Sequence, residues 1–203
     1  MPDATPDPPA TVPGPADALL VVDLQNDFLP GGALAVPSGD AVVPVVNAWA
    51  AAFAAAGRPV IATRDWHPPG HVSFTGAGGP WPAHCVAGTR GAEFASGLVL
   101  PPGHVVLSKA TTAERDAYSG FDGTGLADRL RAAGVRRVVL AGLATDYCVR
   151  ATGADALAAG FEVVVLTDAV RGVELAPGDS QRALDALALG GARFLAGAPG
   201  AAT

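Results

Sequence analysis

The chain of 203 residues is poor in several residue types: it has two cysteines, one methionine, two tyrosines, 6% aromatics and 16% charged residues. Two cysteines, Cys85 and Cys148, cannot build a disulfide framework, and no CxxC pair is present. Reduced thiols in a cytoplasmic protein are therefore expected. Positive charge is also scarce, with 13 Lys and Arg against 19 Asp and Glu and a net charge of −6. Without basic runs, that balance argues against nucleic acid or an anionic membrane as partner. The mostly apolar stretch 41–56 is interrupted by Pro44 and Asn47 and is too short for a membrane span. The opening segment MPDATPDPPATVPGPAD has neither a basic n-region nor an apolar h-region, so a loose tail over 1–16 is expected rather than a signal peptide. Phosphate-loop and GxSxG motifs are missing, and Gly123-Thr124-Gly125 does not extend into a dinucleotide fingerprint. The scarcest charge is lysine. Lys109 is alone among 13 basic residues, the rest being arginine, in a composition that looks GC-biased.

What remains is rich in apolar residues, at 50%, and suits one domain over 17–203. Short β-branched runs at 19–23, 59–63, 104–107, 137–141, 162–166 and, more weakly, 192–195 read as strands. Ala-rich helical stretches lie between them at 39–56, 125–133, 146–159 and 180–189, and Gly57, Gly134, Gly160 and Gly190 follow them as C-terminal caps. This alternation predicts a three-layer α/β/α fold with a mainly parallel sheet of about six strands. The segment 65–103 is different, being rich in Gly, Pro, Trp and His without periodicity. A long irregular stretch in a compact domain is usually functional.

Ligands of open parallel sheets bind beyond the carboxyl ends of the strands. Asp23, Asp65, Lys109 and Cys148 each fall at or just after a strand and would share that rim. Individually, the aspartates could cap turns, the lysine could solubilise, and the cysteine could be a small buried apolar residue. Cys148 also falls where a helix begins, and a helix dipole would favour its thiolate. An acid or base beside it, for which Asp23 is well placed, would make it a nucleophile.

Three of the four histidines, His67, His71 and His84, share the irregular segment with Asp65, while His104 opens a strand and reads as structural. On extended chain, Asp65 and His67 point to one side. Imidazole plus carboxylate suits one divalent ion such as zinc, iron or manganese, with His84 returning as a third ligand. Hydrogen bonding of these histidines to backbone is the alternative.

The sequence resembles the nicotinamidase/pyrazinamidase branch of the isochorismatase-like cysteine hydrolases. The resemblance runs from about Ala18 to Leu195, on VVDLQNDFLPGGALAV, TRDWHPPGHVSF, GGPWPAHCVAGTRGAEF, SKATTAERDAYSGFDGTGLADRLR and LAGLATDYCVRATGADAL. It implies a catalytic triad of Asp23, Lys109 and Cys148. It further implies metal ligands Asp65, His67 and His84, with His71 left open as a fourth, held in an insertion at about 65–103. An oxyanion hole from the backbone N–H groups of Ala144 and Cys148 would follow a cis Leu143–Ala144 peptide, and Phe28, Trp81 and Tyr118 would line an aromatic slot. The implied reaction is hydrolysis of nicotinamide to nicotinate and ammonia through a cysteine thioester, in NAD salvage, with pyrazinamide as a further substrate. Other readings are an amidase of N-carbamoyl or ureido substrates with the same triad, hydrolysis by metal-activated water, and a non-catalytic metal- or ligand-binding relative. The expected partner is a small-molecule amide; homo-oligomerisation is left open, and Cys85 has no assigned role.

Overall fold

The computed structural model describes residues 12–200. Of the tail expected over 1–16, residues 1–11 lie outside the described residues. Val12 is buried against the core, and the Gly14 N–H donates to the Asp17 carboxylate at 2.6 Å.

Six strands form one sheet: β1 Asp17–Val22, β2 Val60–Asp65, β3 Val105–Lys109, β4 Arg137–Leu143, β5 Glu162–Arg171 and β6 Arg193–Leu195. Their order is β3-β2-β1-β4-β5-β6 and every neighbouring pair is parallel, as the apolar-on-both-faces runs predict. All residues of β1 and β4 are buried. Helix α1 (Val42–Ala55) covers one face, packing Val46, Trp49 and Phe53 against Leu19, Val21, Val139 and Leu166. Helices α2 (Leu126–Ala132), α3 (Arg150–Ala158) and α4 (Asp179–Leu189) cover the other with Leu126, Leu130, Ala156 and Leu187. These are the three layers expected. Among the described residues, no helix is long and apolar enough to cross a membrane.

Two elements differ from the periodicity reading. β5 runs to Arg171, beyond the apolar run that ends at Leu166, because a register shift lets Val170 and Arg171 pair with Gly142 and Leu143. The helix expected from Asp146 opens instead with a π-helical turn, Thr145–Val149, before α3 begins. That wider turn puts Cys148 inside the bend that follows β4.

The strand order reverses between β1 and β4, a switch point whose carboxyl-end crevice is the ordinary binding position in such sheets. Asp23 follows one of these strands, and Ala144 to Cys148 follow the other. Gly142 permits this junction: its φ is +113°, and a Cβ there would sit 2.0 Å from the Val22 carbonyl oxygen.

Candidate active site

Lys109 is the last residue of β3, an edge strand separated from β1 by β2. Its register partner on β2 is Asp65. From the edge, the four-carbon stem reaches over the end of β2, and the ammonium meets groups from three other strands' ends. Nζ lies 2.9 Å from Asp23 Oδ2, donates to Asp65 Oδ1 in a short contact, donates to the Ala117 carbonyl at 3.0 Å and sits 3.6 Å from Cys148 Sγ. The Lys109 and Asp23 side chains are wholly buried. A carboxylate oxygen of Asp23, one of Asp65 and the Cys148 sulfur lie within 4.8 Å of one another. The four rim residues read from the sequence thus meet at one point.

Burial and charge set their protonation. Burial disfavours the Lys109 ammonium, but Asp23, Asp65 and Cys148 together outweigh it and raise its pKa well above normal. Burial raises the Asp23 pKa, against the pull of Lys109 and the Thr63 hydroxyl, which donates to Oδ1 at 2.7 Å. Burial also opposes ionisation of Asp65, yet Lys109 and His67 hold its carboxyl far below the usual range. The Cys148 thiol is pushed well above its ordinary value, first by burial and then by Asp23 and Asp65 against Lys109. This corrects the expectation of a dipole-stabilised thiolate. Cys148 is 5% exposed, and this loss of water disfavours the thiolate.

Asp65, His67 and His84 are all buried and can each offer an atom to one ion. His67 Nδ1 faces the Ala110 carbonyl at 3.3 Å, and its Nε2 is buried without a hydrogen-bond partner, 3.6 Å from Asp65 Oδ2. His84 Nδ1 donates to the Pro82 carbonyl at 2.8 Å, and burial lowers its pKa, which favours the neutral ligand form. A carbonyl on one ring nitrogen orients the other as a donor to metal. The donor set and the orphaned Nε2 therefore fit a borderline divalent ion. His71 is placed differently. Its Nδ1 accepts from the Ser73 hydroxyl at 2.8 Å, its Nε2 donates to the Arg115 carbonyl at 3.1 Å, and its ring stacks on His67 at 4.2 Å.

Beside these groups lies a cavity whose wall is mainly apolar and aromatic with a few polar groups, the usual make-up of a small-ligand site. Phe28, Trp81 and Tyr118 line it, with the Trp81 indole N–H donating to the Tyr118 hydroxyl at 2.9 Å. Ala144 and Cys148 line its floor, and the Leu143–Ala144 peptide is cis.

Several site residues escaped the sequence reading. Gln25 is fully buried; its amide donates to the carbonyls of Asp65 (2.8 Å) and Ala92 (2.9 Å), and its oxygen accepts from the Asp65 N–H (2.8 Å). It therefore fixes the Asp65 peptide on both sides. Asp27 accepts from the Cys85 N–H at 2.7 Å, anchoring the residue after His84. Cys85, buried and with its thiol pKa raised mainly by burial, contributes its backbone here and accepts from the His67 N–H at 3.0 Å. Tyr147 packs edge-on against Trp81 at 5.1 Å and enters the cavity wall. A run of polar residues, Gln25-Asn26-Asp27, straight after a buried strand was the available signal.

Residues 17–198 match the isochorismatase domain family. The nicotinamidase of Escherichia coli (strain K12) is 40% identical over 199 residues, covering 88% of this chain and 93% of that protein. The pyrazinamidase of Pyrococcus horikoshii, solved in complex with zinc, superposes with a TM-score of 0.86 at 52% identity over 90% of this chain and all (100%) of that one. PnC1 from L. infantum, solved in complex with nicotinate, gives 0.85 at 38% identity over 92% and 96%.

Proposed function

The chain belongs to the isochorismatase-domain family, and from that premise we propose that it hydrolyses nicotinamide to nicotinate and ammonia through a thioester on Cys148. The observation that supports this most is the single ammonium of Lys109 joining Asp23, Asp65 and Cys148 beside an aromatic-lined cavity. Pyrazinamide, with the same flat ring and carboxamide, is the second substrate, and the reaction belongs to NAD salvage.

In this mechanism Asp23 is the base and Cys148 the nucleophile. The pKa values of both are raised, so the proton rests on sulfur until a carboxamide displaces the remaining water. Asp23 then takes it, Sγ bonds to the carboxamide carbon, and the C=O pair moves onto oxygen. The backbone N–H groups of Ala144 and Cys148 hold that oxyanion; losing one such donor typically costs roughly 10²–10³ in rate. The oxygen pair returns, the C–N bond breaks, and Asp23 delivers its proton to the departing ammonia. A water gives its proton to Asp23 and attacks the thioester, the C–S bond breaks, and the sulfur is reprotonated from Asp23. Lys109 stays charged throughout and holds Asp23 and the thiolate in place. Phe28, Trp81 and Tyr118 hold the ring by stacking.

Asp65, His67 and His84 would hold one divalent ion. When bound there it would supply Lewis-acid chemistry beside the substrate ring, helping to orient the ring and to withdraw electron density from it. His67→Ala and His84→Ala should each weaken zinc binding by about 10²-fold or more, whereas His71→Ala, losing only a stacked support, should cost about tenfold or less. Competition against a colorimetric chelator measures this; equal losses for His71 and His67 would make His71 a ligand.

An ammonia-release assay with nicotinamide, pyrazinamide and an N-carbamoyl amino acid, before and after chelation, tests the function. Turnover of both ring amides is expected, falling about 10²-fold or more on chelation and returning with added metal. Turnover of the N-carbamoyl compound alone, indifferent to chelator, would replace this reading with the rival amidase.

A further inference from the structure

One charged group in the cavity wall has no part in the mechanism above. Asp116 lines the same cavity as Tyr118 and Cys148 and is half-buried. Its Oδ1 accepts from the Ala117 N–H at 2.9 Å, and the Ala117 carbonyl in turn accepts from Lys109. The backbone that presents this carboxylate is therefore tied to the buried centre, so its position is defined. Among the described residues no Lys, Arg or His pairs with Asp116; the adjacent Arg115 is turned to Asp122.

The rest of the wall offers an anion little. No arginine or lysine lines the cavity, and the ammonium of Lys109 is enclosed and shared between two carboxylates. A divalent ion at Asp65, His67 and His84 would bring two positive charges; counting Asp23 against Lys109, the carboxylates of Asp65 and Asp116 together offset them. With Asp116 neutralised, that excess positive charge would be uncovered. Like charges brought together in a partly desolvated site oppose binding strongly, and one such contact at several ångströms corresponds to about tenfold in affinity.

Resting on the nicotinamide reading, we propose that Asp116 is a specificity-determining residue that makes the cavity select uncharged amides and repel carboxylates. It disfavours amides whose acyl part carries a carboxylate, and it speeds release of the product anion. The same fold would accept carboxylate-bearing amides where a neutral or basic residue replaced it.

The test is calorimetric titration of nicotinate and of nicotinamide into zinc-loaded Cys148→Ala protein, with Asp116 intact, Asp116→Asn, Asp116→Lys or Asp116→Glu. The ratio of nicotinate to nicotinamide affinity should rise about tenfold for Asp116→Asn and further for Asp116→Lys, while Asp116→Glu keeps the original ratio. A ratio within twofold of the original in both Asn and Lys variants overturns the proposal. Absence of ammonia release from nicotinamide by wild-type protein overturns the functional reading instead, whatever the ratio. Binding of neither ligand with Asp116 intact overturns both.

Discussion

Cys148→Ala should lower ammonia release from nicotinamide by about 10⁴-fold or more, the loss typical when a covalent nucleophile is removed. The substitution is small and conserves the fold, since Cys148 packs among apolar neighbours such as Val22, Leu140 and Val149. Nicotinamide should still bind, because the proposed ring contacts of Phe28, Trp81 and Tyr118, which line the cavity, are left in place. Acid-quenched wild-type protein, trapped during turnover, should carry a nicotinoyl group on the Cys148 peptide by mass spectrometry. The alternative, in which metal-activated water attacks directly, predicts no such adduct and near-normal turnover by the alanine variant. Either of those observations ends the thioester mechanism.

The second large effect belongs to Lys109. An arginine at this position carries the same charge, yet it should cost about 10²-fold or more in activity. The ammonium is a compact donor enclosed by Asp23, Asp65, the Ala117 carbonyl and Cys148 Sγ, whereas a guanidinium is broad and planar. Forcing it into a filled interior costs about 1–3 kcal/mol by overpacking. Lys109→Met should be worse for stability. It leaves two buried carboxylates without their cation, and breaking a buried pair in this way costs about 3–5 kcal/mol.

The pH dependence of that loss has a definite sign. Burial already raises the Asp23 pKa, and Lys109 is the main influence against it. Removing the lysine raises that pKa further. A carboxyl whose folded pKa exceeds its unfolded one stabilises the protein below the unfolded value, and this contribution disappears as pH rises through the folded value. The deficit of Lys109→Met relative to wild type should therefore be greatest near about pH 8 and shrink towards about pH 5. Urea unfolding across that range measures it. A deficit that grows on acidification would mean that Asp23 is not held ionised by Lys109.

Much of this was legible in the linear chain. The β-branched runs marked the inner strands because a strand buried on both faces has to be apolar throughout, whereas the edge strands β3 and β6 are partly exposed and β6 read more weakly. Asp23, Asp65, Lys109 and Cys148 stood out because polar, reactive residues ended such runs, and the histidines because they clustered in the one segment without periodicity. Lys109 was conspicuous as the only lysine among 13 basic residues. Residue order along the chain carries periodicity and local chemistry, and these were enough for the layers, the rim and the ligand candidates.

Other features were decided by tertiary structure, because they depend on which distant segments meet and on how completely water leaves. The strand order puts Lys109 on an edge, two strands from Asp23, so its stem passes Asp65 and one ammonium serves both carboxylates. Nothing in the spacing of 44 residues between Asp65 and Lys109 foretells that contact. Gln25 and Asp27 read as loop residues until the fold lays the segment around Asp65 and Cys85 against them. The sequence left the part of His71 open beside His67, and the placement of Ser73 and the Arg115 carbonyl, which occupy both its ring nitrogens, sets it apart. The protonation of Cys148 shows the same division. Its place after a strand and before a helix is local and readable, but desolvation sums over every neighbour, and here burial, with Asp23 and Asp65, outweighs Lys109 and pushes the thiol up.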